Sequence, residues 1–124
     1  MFQISTKYYN IVLYNICIYK GENMKYKYDE DVLNIDLDEE LDMNTCKTLR
    51  TVIDGYIMRY QPKEFIFDLS KVTFMDSSGL GLIIGRYNLL NLINSKMTIV
   101  NPNCSIKRVL ELSNISKNIT MRCN

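Results

Sequence analysis

The stretch Phe65–Tyr87, FIFDLSKVTFMDSSGLGLIIGRY, sets how the chain folds. It opens on an apolar run, Phe65 to Leu69, too continuous for a half-exposed strand. That pattern predicts a central strand covered on both faces, as in a parallel sheet flanked by helices. A polar corner follows at Asp76-Ser77-Ser78-Gly79, and then an apolar pattern of helical period. A helix is expected from near Ser78 to about Asn94, burying Leu80, Ile83, Ile84, Tyr87, Leu90 and Ile93. In the linker between them, Val72 and Phe74 are expected to pack inward. A strand that turns through Ser and Gly into a helix presents a hydroxyl beside free backbone N–H groups, at the positive end of the helix dipole. From the residues alone, Ser77 and Ser78 are both candidates for that hydroxyl.

Working outward, the pattern continues on both sides. Lys25–Tyr28 alternates polar and aromatic residues, and Leu33–Leu37 alternates apolar and polar ones. With the polar turn Asp29-Glu30-Asp31 between them, these read as two antiparallel strands. The acidic run Asp38 to Asp42 breaks the alternation. Asp42 or Asn44 then caps a helix over 43–59, with Met43, Cys46, Leu49, Ile53, Tyr56 and Ile57 on one face. Gly55 weakens this helix and Gln61-Pro62 ends it. After the central stretch, 96–100 is a short apolar strand. Residues 104–113 form a helix with Ile106, Val109 and Leu110 inward, and 118–122 a last strand. The order is that of a single α/β domain with right-handed crossovers and a mixed sheet of four to five strands.

Residues 1–23 differ from the rest. They hold four tyrosines and a single acidic residue, Glu22. The apolar run 11–19 is interrupted by Asn15 and falls short of the roughly 20 residues of a spanning helix. A small-residue cleavage site is lacking, which argues against a signal peptide. An extra strand is one reading of the β-branched and aromatic content. The preferred one is a translated leader: Gly21-Glu22 is encodable as GGA-GAA, a purine-rich ribosome-binding sequence just upstream of the Met24 codon. The domain is then expected to run from Met24 to Asn124.

Composition narrows the chemistry. The 124 residues carry a formal net charge of +1, which argues against non-specific nucleic-acid binding. There is no histidine, so the commonest general base and metal ligand is missing and a Ser-His-Asp arrangement is excluded. The cysteines, at 17, 46, 104 and 123, have no CxxC spacing, which removes zinc and thioredoxin-type readings and leaves buried free thiols in a cytoplasmic protein. GxSxG and Walker A motifs are absent, and Gly79-Leu80-Gly81 fails as a dinucleotide loop because Ile84 stands where the third glycine belongs. Asp68 near Asp76 raises a receiver-type phosphoacceptor, a minor reading that needs an acidic pair and a lysine in addition. No catalytic residue, metal or cofactor is assigned.

The segment 74–87, FMDSSGLGLIIGRY, closely resembles the signature of the STAS domain, and more narrowly that of the anti-sigma-factor antagonists of spore-forming bacteria. Glu40-Leu41-Asp42 followed by Thr45, the strand Phe65–Asp68, and Ile106-Lys107-Arg108-Val109-Leu110 with Ser113 extend the resemblance over about residues 25–122. Two departures stand out: Glu39 occupies a position where the family usually has glycine, and the sequence stops at Asn124, before the family's usual C-terminal helix, so that helix is missing or the chain is shortened.

The resemblance implies a partner switch. The unphosphorylated protein would bind an anti-sigma factor that is also a serine kinase, and so free a sporulation sigma factor. Phosphorylation of Ser77 would end that binding, and a PPM-type serine phosphatase would restore it. The protein itself would be no enzyme and would bind neither nucleic acid nor membrane. Partner-contacting residues would be Met75, Asp76, Ser78, Gly79, Leu80, Glu40 and Asp42, with Arg86 at the rim. Ser78 is expected as the helix cap or in the first turn. Gly79 and Gly81 would allow another backbone to come close. The alternative is a STAS-type nucleotide- or ligand-binding module with no kinase partner.

Overall fold

A computed structural model describes residues 9–13, 16–20 and 24–124. Its hairpin β3 (Met24–Asp29) and β4 (Val32–Leu37) pairs antiparallel in the register Met24↔Leu37 to Asp29↔Val32. The two-residue loop puts both Glu30 and Asp31 at positive φ, 48° and 66°. This is the conformation of a type I′ hairpin turn, built here without glycine. From β4 onward every connection is a crossover. Helix α1 (Met43–Tyr60) leads to β5 (Glu64–Asp68), α2 (Ser77–Leu92) to β6 (Lys96–Val100), and α3 (Cys104–Leu112) with a short 3-10 turn to β7 (Thr120–Arg122).

Strands β4 to β7 lie side by side in chain order and are parallel. Successive right-handed crossovers that all step in one direction place their helices on one face of the sheet. The core follows from this. Leu33, Ile35 and Leu37 of β4, Phe65 and Phe67 of β5, and Met97 and Ile99 of β6 form one buried cluster with Ile53 and Ile57 of α1, Leu82, Ile83 and Leu90 of α2, and Ile106 and Leu110 of α3. The expectation that β5 is covered on both faces is therefore corrected. Phe65 and Phe67 are buried, while Glu64, Ile66 and Asp68, which point the other way, are only partly so.

The five strands from Met24 on are the mixed sheet expected for the domain. Two more, β1 (Tyr9–Leu13) and β2 (Ile16–Lys20), extend it antiparallel beyond β3. They fall inside the segment read as leader, whose Gly21 and Glu22 lie outside the described residues.

Element boundaries match the sequence reading to within about two residues, but some faces do not. The buried side of α2 is Gly79, Leu82, Ile83, Arg86 and Leu90. This is turned by about one residue from the expected stripe, because α2 is apolar on nearly every side and its period alone does not select a face. Phe74, Met43 and Val109, all expected inside, are exposed. Of the thiols, Cys46 is buried as expected, whereas Cys104 and Cys123 are exposed; Cys17 lies outside the side chains described.

Candidate functional site

The corner is built by the linker after β5. The Asp68 carboxylate accepts hydrogen bonds from the backbone N–H (3.0 Å) and hydroxyl of Ser70, so it serves its own turn and is not free as a receiver-type acceptor. Val72 is buried and pins the linker, and Asn103 Nδ2 donates to the Thr73 carbonyl at 3.2 Å. The chain then pairs with the acidic loop before α1. Leu41 N–H donates to the Phe74 carbonyl (3.0 Å), Asp76 N–H donates to the Leu41 carbonyl (3.2 Å), and Leu41 forms a parallel bridge with Met75. This bridge brings Glu40 and Asp42 beside Met75, Asp76, Ser77 and Ser78.

Helix α2 starts at Ser77, one residue earlier than expected, with Asp76 as its cap. The Asp76 carboxylate accepts from Ser78 N–H at 2.7 Å and Gly79 N–H at 3.4 Å. Ser78 thus lies in the first turn and is not the cap. Ser77 is exposed, and its hydroxyl makes no hydrogen bond among the described residues. Gly79 is buried against the bridge. A β-carbon there would overlap Met75 Cγ and stand 2.9 Å from Leu41 Cβ and 3.1 Å from the Leu41 carbonyl oxygen. The close approach at Gly79 is made within this chain, by the Met75 side chain and by Leu41. A β-carbon at Gly81 would have no neighbour within 4 Å, so that position is open. Met75 and Leu80 are half-buried.

Asp42 caps α1 in the same way, accepting from Thr45 N–H at 2.9 Å, and that backbone hydrogen bond holds its carboxyl below the usual range. Beneath the two caps lies Cys46. Burial first, then the carboxylates of Asp76, Asp42 and Glu39, push its thiol up to about 11. Three acidic groups therefore converge on this corner from two segments of the chain.

Arg86 is not a rim residue. It is 5% exposed, with Nε 2.7 Å from Asp54 Oδ1 of α1, and burial holds its guanidinium below the usual range. Sequence reading also missed two exposed apolar side chains flanking the corner, Met43 (70% exposed) and Phe74 (48%). For Met43 the signal was its place directly after a cap, where a side chain faces out as readily as in. A groove of about 670 Å3 between α1 and α2, walled in part by Lys47, Arg50, Ser78 and Gly81, was missed as well. Among the described residues no group of three or more His, Cys, Asp or Glu side chains is placed to hold a metal ion, and no helix is long and apolar enough to cross a membrane.

Fold and corner together define a small α/β domain, wound to one side of its sheet, that offers an unbonded serine at a helix start. The chain belongs to the STAS domain family, whose model matches residues 23–124. It is 35% identical over 94 residues to an anti-sigma F factor antagonist of Paenibacillus polymyxa, covering 76% of this chain and 80% of the relative. It is 28% identical over 97 residues to an anti-sigma-B factor antagonist of Listeria monocytogenes (76% and 82% covered). Among solved structures, the fold is similar to the anti-sigma factor antagonist SpoIIAA in its unphosphorylated form, with a TM-score of 0.69 at 24% identity, covering 79% of this chain and 86% of that one.

Proposed function

We propose that this protein is an anti-sigma factor antagonist switched at Ser77. Unphosphorylated, it binds an anti-sigma factor that is also a serine kinase and so releases a sporulation sigma factor. Phosphorylation of Ser77 ends the binding, and a PPM-type phosphatase restores it. The protein is the substrate of these enzymes and not itself one, and it acts in the cytoplasm. The observation that carries the reading is the exposed, unbonded hydroxyl of Ser77 at the first position of α2, flanked by the Asp76 cap and the Leu41–Met75 bridge. The similarity to the Paenibacillus antagonist supports the choice of partner.

The physics of the corner suits a charge switch. A phosphate adds about −1.5 to −2 charges at pH 7. At a helix N-terminus it is locally favoured, so the fold need not open. Beside Asp76, Asp42 and Glu40 it concentrates negative charge on one face. Lost complementarity at an interface centre costs about 2–5 kcal/mol, roughly 30- to several-thousand-fold in affinity.

Incubation with the cognate anti-sigma kinase and ATP is expected to add one phosphate, mapped to Ser77. Ser77→Ala is expected to bind the anti-sigma factor constitutively and Ser77→Asp weakly; parent-like binding by Ser77→Asp would refute the charge argument. We further propose that synthesis starts at Met24. Strand β3 would then be the sheet edge in place of β1. An intact mass of the native protein that includes residues 1–23 would rule this out.

A further inference from the structure

The stripe of α1 that faces α2 runs through Met43, Lys47, Arg50 and Asp54, at helical spacings of four, three and four. Along this stripe the interface changes character. At its lower level α1 supplies an acid, Asp54, and α2 supplies the matching base, Arg86, which is buried. At its upper level α1 supplies two bases, Lys47 and Arg50, and α2 supplies Ser78, Gly81 and Leu82, none of them charged. Neither Lys47 nor Arg50 makes an ion pair among the described residues. The open glycine leaves room, and the result is the groove of about 670 Å3. One end meets the capped corner, where Asp42 and Asp76 stand. The other, near Arg50, lies eight residues along the helix from Asp42, about 12 Å at 1.5 Å per residue. One level of the helix pair thus neutralises its own charge; at the next, two cations make no ion pair among the described residues, and the nearest acids, Asp42 and Asp76, stand at the corner end of the groove.

We propose that the missing acid comes from the partner: the α1–α2 groove receives an acidic segment of the anti-sigma factor, a carboxylate side chain seated between Lys47 and Arg50. This rests on the function proposed above and deepens it. The partner is then gripped at the corner around Ser77 and along the groove that opens from it at Ser78, whose far end at Arg50 lies about 12 Å from Asp42. The pattern required of the partner is an acidic group displaced by that distance from whatever meets the Asp42–Asp76 corner.

The test is binding of the purified cognate anti-sigma factor, by calorimetry, to the full chain and to four variants: Lys47→Glu, Arg50→Glu, Gly81→Leu and, as a remote exposed control with the same charge change, Lys96→Glu. Unfolding in urea checks that each variant is folded. A β-carbon at Gly81 has no neighbour within 4 Å, so Gly81→Leu keeps the test valid if a charge reversal unfolds the chain. Lys47→Glu, Arg50→Glu and Gly81→Leu are each expected to weaken binding about 10- to 100-fold, and Lys96→Glu to leave it within about threefold. Changing one partner Asp or Glu to Lys is expected to restore binding to Arg50→Glu. If the parent binds and the three groove variants bind equally well, the groove proposal fails and the Ser77 switch stands. If the parent does not bind, both fail. Titration of the isolated protein with inorganic phosphate and with ATP, read at the amides of Lys47, Arg50 and Gly81, separates a small-anion site. Saturation below about millimolar, with partner binding indifferent to the groove variants, overturns the proposal in favour of that site.

Discussion

Helices α1 and α2 begin alike and begin together. Each is capped by an aspartate that follows directly on one half of the Leu41–Met75 bridge, and each cap accepts a hydrogen bond from the N–H three residues on. They differ in what the first helical residue offers. In α1 it is Met43, apolar and 70% exposed; in α2 it is Ser77, a hydroxyl. They differ again at the third position, where Thr45 has room and Gly79 has none. One start carries a side chain that no ordinary kinase chemistry can alter. The other carries a hydroxyl, on a turn of helix whose Gly79 packs closely against Met75 and Leu41. The pair sets an exposed apolar side chain and an exposed hydroxyl at the starts of two neighbouring helices.

The comparison breaks most fully where the two helices hold each other. Asp54→Ala leaves the Arg86 guanidinium buried with no acid, and because water still reaches the Asp54 side the loss is expected at the low end for a broken buried pair, about 3 kcal/mol in urea unfolding. Adding Arg86→Met should recover much of that loss. Next come the third positions. Gly79→Ala is expected to destabilise by about 2–3 kcal/mol through overlap with Met75 and Leu41, whereas Thr45→Ala, which crowds nothing, should stay below about 1 kcal/mol.

The caps themselves follow. Asp76→Ala is expected to cost about 1–2 kcal/mol, with Asp76→Asn close to silent. For Asp42 the effect is read through pH. Its folded carboxyl titrates below the unfolded value of 3.8, so its stabilising effect is complete above that value and is lost as pH falls through the folded one. The urea midpoint should decline below about pH 4, and Asp42→Asn should flatten that decline. Smallest and opposite in sign, Gly55→Ala in the middle of α1 meets no neighbour and should stabilise by about 1 kcal/mol, seen as a raised midpoint at unchanged slope. Two helical glycines with opposite responses would separate the one that packs from the one that does not.

The strands were legible because alternation in β3 and β4, and the apolar run in β5, match the pleat directly. The cap of α1 was legible because an aspartate before an apolar pattern has a local role that tertiary context seldom overrides, whereas at α2 the run Asp76-Ser77-Ser78 offered several capping residues and the structure gives the role to Asp76, not Ser78. The buried face of α2 was not. Leucines and isoleucines surround that helix, and the residues that turn inward include a glycine and an arginine, which a hydropathy pattern places outside. Arg86 becomes a core residue only because Asp54, thirty-two positions earlier, meets it across the helix pair. The groove was hidden for the same reason, since its walls come from two elements and its width depends on Gly81, which alone reads as a small residue in a helix. The union of the acidic loop with the corner depends on β4 and β5 lying parallel and adjacent, which sets Leu41 against Met75.

That small bridge makes the surface around Ser77 discontinuous. Its two halves, 40–42 and 74–78, are more than thirty residues apart in the chain and meet only once the sheet is assembled. A synthetic peptide spanning 74–87 would hold every residue of the signature and still lack half of the epitope. A binder that recognises this face is therefore recognising the completed fold, and the peptide should be a poor competitor for it.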